Sequence, residues 1–289
     1  MKQRKLILAV HLHLYYLEMW PEIKRLLANI GDYPYDLYVT MVAENSQIAE
    51  DIRAFHRNST IWVVANRGYD IGPFIDFLHH IDLNQYDLIM KLHTKNKNNG
   101  IETYIGNYVF DRSIWVYCLT NALLGSSRIF KKNIQAFTNL PKLGVIGSKY
   151  LIASKLPDTD GVQSGALTLI KQLGFAKTAN LKFIAGTMFM CRSKLLQKIK
   201  ENYKISDFDI TDGHVKNGTL AHMMERVLGY VVTAQGYEIK GFDRNYILLW
   251  RRIINFIWKN KITNNHFRLI KLCKLPIYRR SVKVREMVK

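Results

Sequence analysis

The sequence predicts an α/β protein built on a mostly parallel sheet flanked by helices, and three observations carry that prediction. Strand-like runs alternate with helical runs of about ten residues through the first 95 positions, as crossover connections require. No Pro- or Gly-rich linker interrupts residues 1–245, so a single domain accounts for them. The 289 residues are 48% hydrophobic and 12% aromatic, enough for a sizeable core and too apolar for a disordered chain.

Leu6–His13 follows a basic start and is too short an apolar run for a signal peptide, so it reads as a first buried strand. Pro21–Ile30 is a helix, with Pro in its first turn and Gly31 just past its end. Asp36–Ala43 is a second strand, and Ser46–Phe55 a helix capped by Asn45 or Ser46. Thr60–Ala65, Ile71–His80 and Tyr86–Leu92 continue as strand, helix and strand. A long helical stretch, Ser113–Leu140, follows, then a short strand, Leu143–Ser148, and a polar loop, Ser154–Gly165. Phe183–Cys191 reads as a buried strand and Ser193–Lys200 as a helix capped by Ser193. Asp207–Gly218 is a polar loop before a helix over Thr219–Leu228. Parallel sheets bind ligands beyond the carboxyl ends of their strands, which directs attention to the loops after the third and fourth strands.

Lys and Arg outnumber Asp and Glu by 42 to 23, a net charge of +19. Residues 245–289 hold twelve of those cations and one acid, Glu286, a net +11. Apolar residues at 249–250, 253–254 and 256–257 recur at helical spacing, with Arg251, Arg252 and Lys259 between them. That is the pattern of a basic amphipathic helix on an anionic membrane surface, with Trp250 and Trp258 at headgroup level. Residues 246–289 are therefore expected to form a basic helical extension. An ordinary last helix with a solvated basic face fits the same pattern. Nucleic acid is not an expected partner, because no zinc knuckle, RNP-like strand or GXXG loop accompanies the charge. Cys118, Cys191 and Cys273 are odd in number and form no C-x-x-C pair, which excludes a disulfide framework and a Cys-based zinc site. No stretch reaches the ~18 apolar residues of a membrane span, and the expected location is cytoplasmic, peripheral on the inner face of the membrane.

Five motifs stand out in order. They are His11-Leu-His13 with Tyr15-Tyr16; Asn66-Arg-Gly-Tyr-Asp-Ile-Gly-Pro73; Lys91-Leu-His-Thr-Lys95; Ala185-Gly-Thr-Met-Phe189; and Asp212-Gly-His leading to Thr219-Leu-Ala-His-Met-Met-Glu-Arg226. Together they resemble the rhamnan synthesis protein F family over roughly residues 8–240. The resemblance implies a GT-A-like, Rossmann-type fold and a glycosyltransferase of bacterial surface polysaccharides that uses a nucleotide-sugar donor.

Taken by themselves, the residues suggest the following chemistry. Gly68 and Gly72 permit close backbone approach, Arg67 suits a phosphate, and Asn66 and Asp70 could face ribose or sugar hydroxyls. Asp70 near a helix start is equally a cap. Lys91, His93 and Lys95 alternate on one face and could neutralise a leaving nucleoside diphosphate. His11 and His13 share a face of the first strand and could line the nucleotide pocket. In GT-A enzymes an Asp-x-Asp metal site stands where these cations do, so Mg²⁺ or Mn²⁺ lacks carboxylate ligands here. No obligatory cofactor and no metal site are expected. Asp158-Thr-Asp160 and Asp207-Phe-Asp209 read as polar loops.

Gly186 in an apolar strand marks a close approach, and Thr187 could contact a sugar hydroxyl. By the family resemblance Glu225 matches a general base at the start of a helix, with Asp212 as the fallback; His222 and Arg226 share its neighbourhood. An ion pair with Arg226 or a nearby Lys is the plainer reading of Glu225, and a satisfied buried ring that of His222. The expected activity is transfer of rhamnose or a similar sugar, such as galactofuranose, to a lipid-linked glycan acceptor, inverting and metal-independent. The alternative is a non-catalytic binding subunit of a polysaccharide-assembly complex.

Overall fold

The computed structural model describes residues 4–95, 103–105, 108–110, 112–154, 158–176, 181–211, 218–244, 248, 258–262, 267–272 and 275–281. Strands β1 (Leu8–His13), β2 (Tyr35–Met41), β3 (Ser59–Val63) and β4 (Leu88–His93) alternate with helices α1 (Trp20–Leu27), α2 (Ser46–Phe55) and α3 (Ile71–His80). A small hairpin, β5 (Thr103–Ile105) and β6 (Tyr108–Phe110), precedes α4 (Arg112–Leu124) and α5 (Ser127–Asn139). Then come β7 (Leu143–Ile146), β8 (Ile152–Ala153), α6 (Val162–Gln172), β9 (Phe183–Ile184) and β10 (Phe189–Arg192). The chain continues through α7 (Gln197–Asn202), α8 (Leu220–Ala234) and β11 (Glu238–Lys240), and β12 (Trp258–Ile262), β13 (Phe267–Leu272) and β14 (Leu275–Ser281) follow.

The main sheet has the order β11-β7-β10-β4-β1-β2-β3. Strands β3, β2, β1 and β4 are parallel, β11 is parallel to β7, and β10 runs antiparallel to both of its neighbours. This is the expected mostly parallel sheet. Every residue of β1 and β4 is buried, as in a sheet covered on both faces. Helix α3 covers one face with Phe74, Ile75, Phe77 and Leu78, all without exposed surface.

Several elements differ from the sequence reading, each for a local reason. The single helix expected over Ser113–Leu140 is two, because Ser126 starts α5 by accepting the Ile129 N–H at 3.3 Å. The polar loop expected through Gly165 ends early. Asp158 Oδ1 accepts N–H groups from Gln163 and Ser164, and α6 follows with Val162, Ala166 and Ile170 inward. The strand expected over Phe183–Cys191 is split by a turn at Gly186 and Thr187, whose φ angles are +87° and +52°. Ser193 caps no helix; its hydroxyl donates to the Tyr86 carbonyl. The helix after Thr219 runs six residues beyond Leu228, to Ala234.

Contacts divide the chain into two units, Met1–Asn99 with Arg112–Asp243, and Gly100–Asp111 with Arg244–Lys289. The sequence division at 245/246 had left residues 100–111 in the first domain. In the second unit, the described residues 258–262, 267–272 and 275–281 do not continue the expected basic helix. They form an antiparallel sheet in the order β12-β13-β14. Their composition accounts for it: Ile262, Phe267, Ile270, Ile277 and Tyr278 favour strands over helices. Trp258 belongs to β12, whereas Trp250, Arg251 and Arg252 lie outside the described residues.

Candidate functional site

The two central strands carry an anomaly, polar side chains in a fully buried sheet. His11 pairs in register with Lys91, and His13 with His93, so all four lie on the same face. Lys91 and His11 have no exposed surface; His13 and His93 are 2% and 4% exposed. A lone buried ammonium costs several kcal/mol, so Lys91 must have a partner. That partner is Asp70, at the start of α3.

Asp70 Oδ2 accepts hydrogen bonds from Lys91 Nζ and Thr187 Oγ1, each at 2.5 Å, and lies 3.4 Å from His93 Nδ1. The Thr187 hydroxyl also accepts from Lys91 Nζ, at 3.1 Å. Asp70 therefore occupies the N-cap position without using its side chain as a cap. Burial works against its carboxylate. The His93 ring, the Lys91 ammonium and the hydrogen bonds from Lys91 and Thr187 outweigh that effect and hold it well below the usual carboxylate range. Burial draws the Lys91 ammonium downward, with Asp70 opposing.

The histidines are neutral near pH 7. Burial, with the field of Lys91, keeps His11 well below 6.5; burial outweighs Asp70 to do the same for His93. Burial takes His13 down to about 4. Thr40, opposite His13 on β2, orients two rings with one hydroxyl: its Oγ1 is 3.0 Å from His11 Nε2 and from His13 Nδ1. His11 also stacks on Phe77 at 4.7 Å. The sequence reading missed Thr40. Its signal was a hydroxyl at the carboxyl end of an apolar strand, where ligands bind.

The Asn66–Asp70 loop is strapped to residues 208–211. Arg67 Nη1 donates to the Phe208 carbonyl at 2.8 Å, Asn66 Nδ2 to the Thr211 carbonyl at 2.7 Å, and Gly68 N–H to the Asp209 carbonyl at 3.0 Å. Arg67 and Asn66 thus hold the loop rather than present themselves to a phosphate or sugar. Gly68 has φ +65°, and a Cβ there would lie 2.7 Å from the Phe208 ring. Gly72 is required for space as well, since its Cβ would lie 2.1 Å from the Arg67 carbonyl oxygen.

Across the site, the Ala185–Met188 turn faces α8. Gly186 N–H donates to Glu225 Oε1 at 2.6 Å, a short charge-assisted bond. Thr187 is β-branched and sits at φ +52°, a conformation that costs on the order of 1–3 kcal/mol and persists only when its surroundings impose it. Met188 and Phe189 are core. Glu225 lies in the second turn of α8, not at its start. Arg226 turns away to Gln163 Oε1 at 2.7 Å, a contact shared with Tyr230. His222 Nδ1 is 2.7 Å from Thr219 Oγ1, and its ring meets Tyr69 edge-on at 5.6 Å.

The structure therefore gathers His11, His13, Asp70, Lys91, His93, Gly186, Thr187 and Glu225, and leaves Asn66, Arg67 and Arg226 in supporting contacts. Lys91 and His93, expected to clamp a diphosphate, are both buried, and the Lys91 charge is balanced by Asp70. Lys95, past the end of β4 and half-buried, has its Nζ 5.2 Å from the Trp115 ring centroid. Asp212 lies outside the described residues. A cavity of about 530 Å³ opens at the amino ends of β1 and β2, between Leu6 and Tyr35. It contains none of this polar row, and the chemistry belongs to the opposite end of the sheet.

The described residues of this row offer a divalent cation few free ligands. Asp70 is committed to an ammonium, and Lys91 itself repels a metal. Among the described residues no three His, Cys, Asp or Glu side chains converge as metal ligands. Asp158 caps α6, and Asp207 accepts the Lys204 N–H at 2.8 Å.

Comparison with known proteins gives the site its context. The chain is 26% identical over 236 residues to the uncharacterized protein WxcX of Xanthomonas campestris pv. campestris, strain B100, and equally to that of strain ATCC 33913. The match covers 80% of this chain and 32% of each relative, so the chain spans about a third of their length. Among solved structures, S. aureus TarS 1–349 aligns with a TM-score of 0.40 at 13% identity, over 78% of this chain and 55% of that one. The mannosyltransferase PcManGT of Pyrobaculum calidifontis, in complex with GDP-Man and Mn²⁺, aligns with a TM-score of 0.38 at 13% identity, over 88% and 62%. Neither score carries the fold assignment, which rests on the strand order above. The family model described as rhamnan synthesis protein F matches residues 1–237, most of the chain and all five motifs, and the chain belongs to that family of polysaccharide synthesis.

Proposed function

We propose that this chain is a glycosyltransferase that moves a sugar from a nucleotide-sugar donor to a hydroxyl of a growing lipid-linked surface polysaccharide or lipopolysaccharide. The donor sugar is rhamnose or a similar one such as galactofuranose, and transfer proceeds with inversion and without a metal. The observation that carries this reading is the Glu225 carboxylate, held on Gly186 N–H beside the Asp70–Lys91–Thr187 cluster in a family of rhamnan synthesis. Glu225 Oε2 takes the acceptor hydroxyl proton as the new bond to the anomeric carbon forms. The Lys91–Asp70 pair is neutral overall, so the positive charge for the leaving diphosphate comes from Lys95 at the strand end.

The protein acts on the cytoplasmic face of an anionic membrane, where lipid-linked acceptors reside. The composition of the C-terminal segment supports this: residues 245–289 hold twelve Lys and Arg and a single acid, and such a cluster of cations is attracted to an anionic surface. No helix among the described residues is long and apolar enough to cross a membrane.

Burial of Lys91, which removes the expected diphosphate clamp, favours a second reading as a non-catalytic binding subunit. A thermal-shift panel of UDP, dTDP, GDP and CMP, each with Mn²⁺ or EDTA, tests the donor site. A shift with one nucleotide that survives EDTA supports the metal-free transferase; a shift that needs Mn²⁺ removes the metal-free mechanism. No shift with any nucleotide removes the donor site.

A further inference from the structure

The strained turn between β9 and β10 places a buried β-branched residue at positive φ. Glycine or asparagine would occupy that conformation at lower cost. What holds Thr187 there is its hydroxyl, which donates to Asp70 Oδ2 and accepts from Lys91 Nζ. The turn is pinned from the other side as well. Gly186 sits at φ +87°, and a Cβ at that position would lie 2.5 Å from Trp115 Nε1, so no larger residue fits. The Gly186 N–H points toward α8. There it meets Glu225 Oε1 at 2.6 Å.

We infer that Thr187 is a positioning residue, through which the buried Lys91–Asp70 pair fixes the turn whose Gly186 N–H orients the Glu225 carboxylate for proton abstraction. The linkage runs from β4 and α3, through one hydroxyl, to a single backbone N–H and then to α8. It gives the buried Lys91 a role in the site beyond its pairing with Asp70. It also explains why the carboxylate works from the second turn of α8: a backbone donor on the opposite wall fixes its rotamer, and the helix terminus is not needed. The hydrogen bond occupies Oε1 and leaves Oε2 for the acceptor hydroxyl. This inference rests on the reading of Glu225 as the base.

The test uses the full chain and two readouts. The first needs no substrate: the Gly186 amide resonance in a ¹H–¹⁵N spectrum, identified by its response to Glu225→Gln. An amide donating to a carboxylate lies downfield, so Thr187→Val, which keeps the shape and removes the hydroxyl, is expected to move it upfield. Thr187→Ser is expected to leave it near its original position. The second readout is release of dTDP from dTDP-rhamnose, with UDP-galactofuranose run in parallel. Thr187→Val is expected to lower kcat at least tenfold with little change in the donor KM, and Thr187→Ser to recover most of that loss. A folded Thr187→Val variant with an unmoved Gly186 amide overturns the linkage, whatever its activity. An amide that moves as expected, in a protein whose Glu225→Gln variant still transfers sugar, overturns instead the reading of Glu225 as base. Equal losses in the Val and Ser variants would make Thr187 a packing residue and end the proposal.

Discussion

The Lys91 ammonium lies 2.5 Å from Asp70 Oδ2, and the lysine side chain has no exposed surface. The carboxylate is 22% exposed, so the pair stands at the floor of the site with one member toward solvent. Removing either partner strands a charge in the core. Lys91→Met and Asp70→Asn should each destabilise the protein by about 3 kcal/mol. The double variant should lose clearly less than the sum, because no uncompensated charge remains. Urea denaturation of the four proteins checks this; additive losses would mean that the pair is not coupled.

Acid should unfold this protein early. The His11, His13 and His93 rings have folded-state values below the 6.5 of an unfolded histidine, so the unfolded chain takes up protons first as pH falls. Their contribution is complete above pH 6.5 and is lost below it, for His13 down to about 4. Each ring contributes a slope of about 1.4 kcal/mol per pH unit within its window. Denaturation midpoints at pH 7.5 and 5.5 should differ sharply, and His13→Gln should make the difference smaller. Equal midpoints would contradict the assignment of neutral rings.

Gly68 combines positive φ with a ring 2.7 Å from where its Cβ would be. Gly68→Ala should cost about 2 kcal/mol, from backbone strain and displacement of Phe208 together. Pairing it with Phe208→Leu should recover the steric part alone. Thermal melts of the single and double variants separate the two contributions.

Glu225→Gln keeps the shape of the side chain and the bond to Gly186 N–H while removing the base. Transfer should fall by about 10²–10⁴-fold. The melting-temperature rise given by the preferred nucleotide should persist. Loss of both would place Glu225 in donor binding.

Binding to vesicles should depend on anionic lipid and weaken with salt, as electrostatic adsorption does. Lys259→Glu with Lys271→Glu converts one opposed pair of β12 and β13 and should release the protein from such vesicles in a sedimentation assay. Unchanged binding would assign membrane attachment to another part of the chain.

The parallel half of the sheet was legible because β1 to β4 alternate with helices of about ten residues, of which α2 starts at a clear cap, Asn45. The row of His11, His13, Lys91 and His93 was legible as well, since side-chain alternation alone puts them on one face. What the residues do there was not. Exposure cannot be read from one strand, so Lys91 looked like a phosphate ligand when a distant Asp70 had already balanced its charge. Arg67 misled similarly: its partner, the Phe208 carbonyl, is 141 residues away and carries no side-chain signal. In the C-terminal segment the residues that carry the helical spacing, 249–257, lie outside the described residues, and in β12–β14 cations spaced among β-branched and aromatic residues suit an alternating strand as well as a helix face. Helix α6 was hidden behind polar residues, one of which, Asp158, is its cap.

The reversal of β10 gives the fold a division of labour. A strand running against its neighbours begins where they finish, so its entry turn arrives at the reactive end without a further crossover helix. The parallel strands set the floor, and a few residues of that turn set what the floor can hold. Gly186 admits no Cβ and Thr187 bonds the buried Lys91–Asp70 pair, so this short turn and the interior of the sheet must change together or not at all.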